Sequence, residues 1–150
     1  MTHLSLRGSG EAFLAACESA LGFRPPTVPN TVAFSGGRAI LWLGPDEWLL
    51  IDPNPLPDLR KALAGIHSAV VDVTSSRKAL VVSGSRAEEI MSKAATLDFS
   101  LQAFPVGSCA QTNIARTQGI IHRVGAEEFV IYVRSSFAAY LAAWLEDAAN

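Results

Sequence analysis

Two adjacent acids are the residues of this sequence that most directly suggest acid–base chemistry. Asp46 and Glu47 lie in an apolar stretch, "LGPDEWLLI", at residues 43–51. Two carboxylates in apolar surroundings can act as a general acid and a general base. Neighbouring residues of a strand point to opposite faces, however, and Pro-Asp is common at a hairpin corner. We therefore interpret Pro45 and Asp46 as a turn rather than as part of a catalytic pair.

A second candidate is a cysteine nucleophile in the segment "FPVGSCAQTNIAR" at residues 104–116. Cys109 would need a neighbouring histidine or another cation to become a reactive thiolate. His122 can approach it only if the two strands that carry these residues pair in the right register. A cysteine inside a protein usually behaves as a small apolar residue, so we interpret Cys109 as a structural thiol.

Two glycine-containing stretches precede predicted helices and could be mistaken for phosphate-binding loops. "RGSGEAF" begins at Arg7, and no strand is expected before it. "SGSRAE" begins at Ser83 and lacks both the third glycine and the Lys-Ser/Thr pair that such loops use. We interpret both stretches as the entries of helices.

Basic residues and metal-ligand types are dispersed along the chain. The basic residues near predicted strand ends are Arg77, Lys78, Arg116, Arg123 and Arg134. The histidines are His3, His67 and His122. The first set predicts no clean anion site, and the histidines and cysteines have no spacing that would assemble four zinc ligands. We therefore expect neither a metal nor a cofactor on this chain.

Composition limits the class of protein. The 150 residues are 49% apolar, which is enough for the core of one domain spanning residues 1–150. Twelve basic and 14 acidic residues give a net charge of -2 without a run of like charge, so nucleic acid and membrane surfaces are not expected partners. No secretory signal or membrane-spanning stretch is evident, and the two cysteines are expected to be reduced in a cytoplasmic protein.

The first half of the chain predicts two helices around a β-meander. Apolar spacing predicts a helix over residues 11–21 with Gly22 as its stop, followed by a proline-rich connector at 25–29. Strands are predicted at 31–35, 38–43 and 47–51, with Gly36 and Gly37 in a tight turn. After "DPNPLPD", a helix is predicted from about residue 57 to residue 66.

The second half repeats this arrangement of strands and helices. Strands are predicted at 69–73 and 78–83, and Ser85 with Glu88 forms a capping-box pattern that opens a helix. Further strands are predicted at 108–117, 119–124 and 127–133, with Gly119 and Gly125 near the turns, before a helix from residue 135 to the end. The pattern predicts an α+β fold, a single domain with mainly antiparallel sheet and helices packed on it.

Four segments resemble the gamma subunit of heterotetrameric sarcosine oxidase. They are "LGPDEWLLI" at 43–51, "VVDVTSSRKALVVSG" at 70–84, "AFPVGSCAQTNIARTQGIIHRVG" at 103–125 and "FVIYVRSSFAAYLAAWLEDA" at 129–148. The resemblance extends from about Trp42 onward. Its most specific parts are G-P-D-E-W-L-L, A-F-P-x-G-x-C-A-Q-T and V-R-S-S-F-A-A-Y-L-x-x-W-L, and the first forty residues contribute little.

The resemblance implies a function that is divided among several chains. In this family, a bacterial complex of alpha, beta, gamma and delta subunits oxidatively demethylates sarcosine to glycine and hydrogen peroxide, and tetrahydrofolate accepts the one-carbon unit. FAD, FMN and NAD are held by the two larger chains and zinc by delta, whereas gamma holds none of them. The gamma chain is also similar in fold to the folate-binding domain of the aminomethyltransferase of glycine cleavage.

Two hypotheses follow from the resemblance. In the first, the chain is a noncatalytic gamma subunit that packs against alpha, with Trp42, Trp48, Phe104 and Tyr140 as interface candidates and with possible self-association when it is isolated. In the second, it is a free-standing folate-binding or folate-sensing protein of the aminomethyltransferase-like group. Fold likeness alone does not transfer folate binding, and the K-G-C-Y-x-G-Q-E signature of the iron–sulfur-assembly relatives is not present. Whether the complex acts on sarcosine or on a related N-methyl amino acid stays open, and we favour the first hypothesis.

Overall fold

The structure is a computed structural model that describes residues 1–53 and 59–150. The chain divides into two compact units, Met1–Thr74 and Ser75–Asn150. Each unit consists of an antiparallel sheet with helices packed on one of its faces. The predicted α+β class and its mainly antiparallel sheet are therefore confirmed, whereas the assignment of residues 1–150 to a single domain stays a prediction.

The first unit contains a five-stranded sheet in the order β2-β3-β4-β1-β5. Its elements are β1 (Thr2–Gly8), α1 (Glu11–Leu21), β2 (Val32–Ser35), β3 (Arg38–Gly44), β4 (Glu47–Asp52), α2 (Leu59–Ala62) and β5 (Ser68–Asp72). All of the strand pairs are antiparallel. The core between the sheet and the helices includes Leu6, Phe13, Cys17, Trp48 and Leu59.

The predicted helix and meander of the first unit are confirmed. Helix α1 has the bounds that its apolar spacing predicts, and it ends at Gly22 in the left-handed conformation. Strands β2, β3 and β4 are consecutive neighbours in the sheet. Gly36 and Gly37 have φ values of 59° and 81°, which suit the two-residue turn between β2 and β3. Pro45 and Asp46 form the turn between β3 and β4.

The expectation that no strand precedes "RGSGEAF" is wrong. Strand β1 leads into it, ends at Gly8 and pairs with both β4 and β5. Leu4 and Leu6 alternate into the core, but the strand has only two such residues and its partners are distant in sequence. Gly8 is required by close packing, because an added Cβ would lie 2.3 Å from the ring of Phe13.

The helix predicted at about residues 57–66 is shorter than expected. Helix α2 begins at Leu59 and ends at Ala62, while Leu63 and Ile66 continue in turns. Its predicted start at residue 57 and most of "DPNPLPD" lie outside the described residues. Leu59 and Leu63 are both buried, so the apolar spacing is correct although the helix does not extend through it.

The second unit contains a four-stranded sheet in the order β6-β9-β8-β7. Its elements are β6 (Arg77–Ser83), α3 (Ala87–Ala94), β7 (Cys109–Ile114), β8 (Thr117–Gly125), β9 (Glu128–Arg134) and α4 (Ala138–Ala149). The predicted final helix begins as a 3-10 turn, Ser135–Phe137, and continues as α4. The core of the second unit includes Ile90, Met91, Phe129, Ile131 and Leu141.

The predicted position of the β7–β8 turn near Gly119 is wrong. The turn lies at Ala115 and Arg116, whose φ values are 48° and 83°. Residues other than glycine seldom adopt this conformation, so no sequence signal marks the turn. Gly119 instead lies within β8, where an added Cβ would be 2.7 Å from the Ile114 side chain and 3.2 Å from the Tyr132 carbonyl oxygen.

The predicted capping box at Ser85 and Glu88 is also wrong. Helix α3 begins at Ala87, and its N-cap residue is Arg86, which makes no side-chain cap hydrogen bond. Glu88 therefore lies in the first turn, and its carboxylate is 3.4 Å from Arg123 Nη2. The buried stripe that the sequence predicts on this helix is confirmed at Ile90, Met91 and Ala94.

Candidate functional site

The two adjacent acids do not converge on a common point. Asp46 lies at the turn, and its backbone oxygen accepts a hydrogen bond from Gly8 N at 3.1 Å. Glu47 lies in β4, where its carboxylate pairs with Arg7 Nη2 at 2.7 Å. The interpretation of Pro45 and Asp46 as a hairpin corner is confirmed, and Glu47 is one partner of a cross-strand ion pair.

Cys109 and His122 are brought together by the sheet. The register of β7 and β8 places them directly opposite each other, a position in which cross-strand Cβ atoms are about 5 Å apart. Both residues are buried, and burial lowers the pKa of His122 to about 4. The imidazole is thus neutral near pH 7 and supplies no positive charge to stabilise a thiolate. The structure therefore favours a structural role for this pair.

Trp48 and Trp42 form a cross-strand pair in the first unit. They are register partners on β4 and β3, as their positions on either side of the turn suggest. Trp48 is buried, stacks on Phe13 at 5.5 Å between ring centroids and donates its indole N–H to Pro26 O at 2.8 Å. Trp42 is half-buried and packs at the border of the same core. Trp48 thereby attaches the proline-rich connector to the sheet.

Phe104 lies inside the second unit. Its ring makes an edge contact with Phe99 at 5.5 Å and stacks with Phe129 at 6.4 Å between centroids. Only 7% of Phe104 is exposed. Of the four interface candidates, Trp48 and Phe104 are therefore core residues in this chain, while Trp42 is half-buried and Tyr140 is exposed. The structure contains this chain alone, so the interface role of all four stays a prediction.

Arg123 is a buried cation whose role the sequence did not indicate. Its guanidinium donates to the carbonyl oxygens of Phe99 at 2.6 Å, Phe104 at 2.9 Å and Ala126 at 2.6 Å. It also lies 4.8 Å from the centroid of the Phe129 ring. The one available signal was strand periodicity, because residue 123 shares a face of β8 with the buried Ile121. Arg123 thus attaches the connection before β7 to the sheet.

Helix α4 and the turn before it carry three aromatic residues at helical spacing, two of them exposed and one at the border of the core. Phe137 is 44% exposed and Tyr140 is 43% exposed, and Trp144 is half-buried one turn further along. The Tyr140 hydroxyl donates to Ala115 O at 2.7 Å, which joins the helix to the β7–β8 turn. A groove of about 510 Å³ follows the helix past Tyr140 and Trp144. We call Phe137, Tyr140 and Trp144 the α4 aromatic stripe.

Four of the dispersed basic residues come together at one end of the second sheet. Arg77 and Arg134 are register partners at the ends of β6 and β9, Lys78 follows Arg77, and Arg116 lies in the turn before β8. The expectation that these residues form no clean anion site stays a prediction. Arg116 and Arg134 line a depression of about 200 Å³ together with Thr117, Gln118 and Phe137. We call it the two-arginine pocket.

The described part of the chain holds neither a metal-ligand cluster nor a membrane-spanning helix. Within residues 1–53 and 59–150, no three His, Cys, Asp or Glu side chains are arranged to hold a metal ion. None of the helices in these ranges is long and apolar enough to cross a bilayer. Cys17 is a buried thiol, and burial raises its pKa to about 11, which makes it poorly reactive.

The two units together define an α+β protein of antiparallel sheets, each with helices packed on one face. Its surface carries aromatic and arginine side chains, the types that are enriched in protein–protein interfaces. The chain matches the model of the sarcosine oxidase, gamma subunit family over residues 7–150. The chain belongs to this family, and the resemblance found in the sequence is confirmed.

Individual relatives agree with this assignment. The chain is 34% identical to sarcosine oxidase subunit gamma of Arthrobacter sp over 143 residues, covering 93% of this chain and 70% of the relative. The corresponding subunit of Corynebacterium sp. (strain U-96) is 34% identical over 152 residues, covering 98% of this chain and 74% of the relative.

A solved structure has the same fold. It is that of heterotetrameric sarcosine oxidase from Corynebacterium sp. U-96 in complex with pyrrole 2-carboxylate. One of its chains superposes with a TM-score of 0.92 at 34% identity, and the match covers 98% of this chain and 78% of that chain. These relatives are named as sarcosine oxidase or as its gamma subunit, and they give no support to the free-standing folate-binding alternative.

Proposed function

We propose that this chain is the noncatalytic gamma subunit of a heterotetrameric sarcosine oxidase. The observation that carries the proposal is the TM-score of 0.92, over 98% of the chain, to a chain of a heterotetrameric sarcosine oxidase. In the proposed complex, the alpha, beta and delta subunits hold FAD, FMN, NAD and zinc and use tetrahydrofolate. This chain supports their assembly, and the complex oxidatively demethylates sarcosine or a related N-methyl amino acid in the cytoplasm.

The geometry of the candidate catalytic residues supports a noncatalytic role. Glu47 is occupied by its ion pair with Arg7, and Asp46 lies at the outer corner of a hairpin. Cys109 and His122 are buried side by side, with a histidine pKa of about 4 that keeps the imidazole uncharged. A subunit with this arrangement contributes surface and shape rather than reacting groups.

The α4 aromatic stripe supports docking on a partner subunit. Phe137 and Tyr140 expose about two fifths of their surface, whereas the second unit's Phe99, Phe104, Phe129 and Tyr132 are buried. Tyrosine and tryptophan are frequent among the residues that dominate binding energy at protein interfaces. We therefore retain Tyr140 as the principal interface candidate. Trp42 is the second, whereas Trp48 and Phe104 act through the cores of their units.

Co-expression with the genes of the proposed partner chains tests the proposal. A tag on this chain should recover two large flavin-bearing chains and one small zinc-bearing chain in equal amounts, and the complex should release hydrogen peroxide from sarcosine. Recovery of the chain alone would contradict the proposal. Calorimetry of the isolated chain with tetrahydrofolate should show no micromolar binding, whereas clear binding would favour the free-standing folate-binding alternative.

A further inference from the structure

Arg116 and Arg134 differ from the other arginines of the chain. Neither guanidinium makes a hydrogen bond or an ion pair to any side chain or carbonyl in the described ranges 1–53 and 59–150. Every other arginine has at least one interaction partner there. Both side chains are exposed, and both line the two-arginine pocket. Two cations without internal partners therefore face the same small depression.

The charge around the pocket is of one sign. The segments that form this end of the sheet are residues 75–79, 112–119 and 132–140, and they contain Arg77, Lys78, Arg116 and Arg134 but no Asp or Glu. The chain as a whole has a net charge of -2, so the remaining residues carry -6 and this end is a local reversal of sign. Such a patch attracts negatively charged groups and guides them during association.

The size and lining of the pocket indicate what kind of group fits. A volume of about 200 Å³ is below the range of about 300–1,000 Å³ that is usual for small-molecule sites. Its lining combines the ring of Phe137, which is 44% exposed, with the side chains of Arg116 and Arg134. Guanidinium groups bind carboxylates in a bidentate manner, and arginine is enriched at protein interfaces. A single acidic side chain next to an apolar one matches this combination of charged and aromatic lining groups.

The geometry points to the two-arginine pocket as the docking site for an acidic side chain of a partner subunit, with Phe137 covering the neighbouring apolar residue. This inference rests on the proposed assembly of the chain into the oxidase complex. Phe137 belongs to the α4 aromatic stripe and also lines the pocket, so the charged and aromatic contacts would form one continuous interface.

Titration of the purified chain into the complex of the other three subunits tests the inference. The variant Arg116→Gln with Arg134→Gln removes both charges and keeps side chains of similar length. Its association should weaken about tenfold, which corresponds to about 1.4 kcal/mol, because two exposed ion pairs would be lost. The wild-type affinity should also fall more steeply with added NaCl than that of the variant.

Lys61→Gln is the matched control, because Lys61 is an exposed cation of the first unit. It belongs neither to the two-arginine pocket nor to the α4 aromatic stripe. It should bind with wild-type affinity and wild-type salt dependence. Thermal unfolding of all three proteins establishes that the changes leave the fold intact. If the double variant lost stability, Arg116→Lys with Arg134→Lys, which keeps the charge, should restore binding when an acidic side chain is the ligand.

The outcomes separate the inference from the proposed function. If the wild type binds and the double variant binds equally well with the same salt dependence, the pocket is not part of the interface, although the subunit assignment stands. If the wild type fails to bind the other subunits, the docking-site inference and the proposed function are both wrong. If sodium sulfate at millimolar concentration binds the wild type but not the variant, while subunit association is unchanged, the pocket is a site for small anions and the inference is overturned.

Discussion

In both units one buried side chain holds a long connection against the sheet, but the two side chains differ in chemistry. In each, the largest fully buried side chain is a donor on a sheet strand, Trp48 in the first unit and Arg123 in the second. Each packs on a phenylalanine ring and donates to backbone carbonyls of a long connection without regular structure. Trp48 is neutral and makes one such bond, whereas Arg123 is charged and makes several. The stability of the second unit should therefore depend more strongly on one residue.

Substitution of Arg123 should have the largest effect. Arg123→Met leaves the carbonyl oxygens of Phe99, Phe104 and Ala126 without their donor in a buried setting. We expect the free energy of unfolding to fall by about 3–5 kcal/mol, as for the loss of a buried charged partner. Hydrogen exchange, measured separately for amides of the two units, should accelerate mainly in residues 75–150.

The control for this prediction is an exposed arginine of the same unit. Arg86 donates to Glu89 and to Ala149 O, but about half of its side chain is exposed. Arg86→Met should lower the free energy of unfolding by no more than about 1 kcal/mol. Equal losses for the two variants would show that burial of Arg123 has no special energetic role, and the contrast between the units would disappear.

A second buried ionisable group should make the protein sensitive to acid. Burial lowers the pKa of His122 from 6.5 to about 4. Between these values the unfolded chain binds a proton that the folded chain does not, so stability decreases as the pH falls. The contribution of this group should diminish by up to about 3 kcal/mol between about pH 7 and about pH 4.

Chemical denaturation over this pH range measures the effect. His122→Gln should reduce the slope of the unfolding free energy against pH. The reduction should correspond to at most one proton in the difference between the unfolded and folded chains. His67→Gln, which replaces an exposed histidine, should leave the slope of the wild type in place. A wild-type slope in His122→Gln would mean that the imidazole titrates equally in the folded and unfolded chains.

Local sequence signals predicted the first unit's meander and α1 because their determinants are local. Apolar spacing and Gly22 define α1, and Gly36 with Gly37 defines the first hairpin. Strand β1 was missed because it is stabilised by pairing with β4 and β5, whose paired residues are forty or more positions away. The turn at Ala115 and Arg116 was missed because a left-handed conformation in these residues depends on the surrounding sheet rather than on their own preference.

The residues of the candidate site were harder to predict from the sequence than the helices and strands. From the sequence, Arg123 counted only among the dispersed basic residues, because two of the carbonyl oxygens that accept from its buried guanidinium lie 19 and 24 residues earlier. The common position of Arg77, Arg116 and Arg134 follows from the sheet order β6-β9-β8, which no single-strand pattern specifies. The family, by contrast, was recognised from motifs, because these record a shared ancestry without requiring a three-dimensional argument.

Substitution of Trp48 should have a smaller effect than substitution of Arg123. Trp48→Phe keeps an aromatic ring against Phe13 but removes the donor to Pro26 O. We expect a loss of about 2 kcal/mol, from one hydrogen bond and a small cavity. Faster hydrogen exchange should concentrate in residues 1–74. Trp42→Phe, at the half-buried partner position, should cost less, and an equal cost would show that the bond to Pro26 is unimportant.

Replacement of the two acids at the hairpin should have the smallest effect. Asp46→Asn with Glu47→Gln removes the exposed ion pair between Glu47 and Arg7 and leaves the backbone bond from Gly8 to Asp46 O in place. The free energy of unfolding should change by less than about 1 kcal/mol. Turnover of the reconstituted oxidase should also stay near the wild-type value. A loss of several orders of magnitude in turnover, with assembly intact, would mean that these carboxylates do chemistry in the complex.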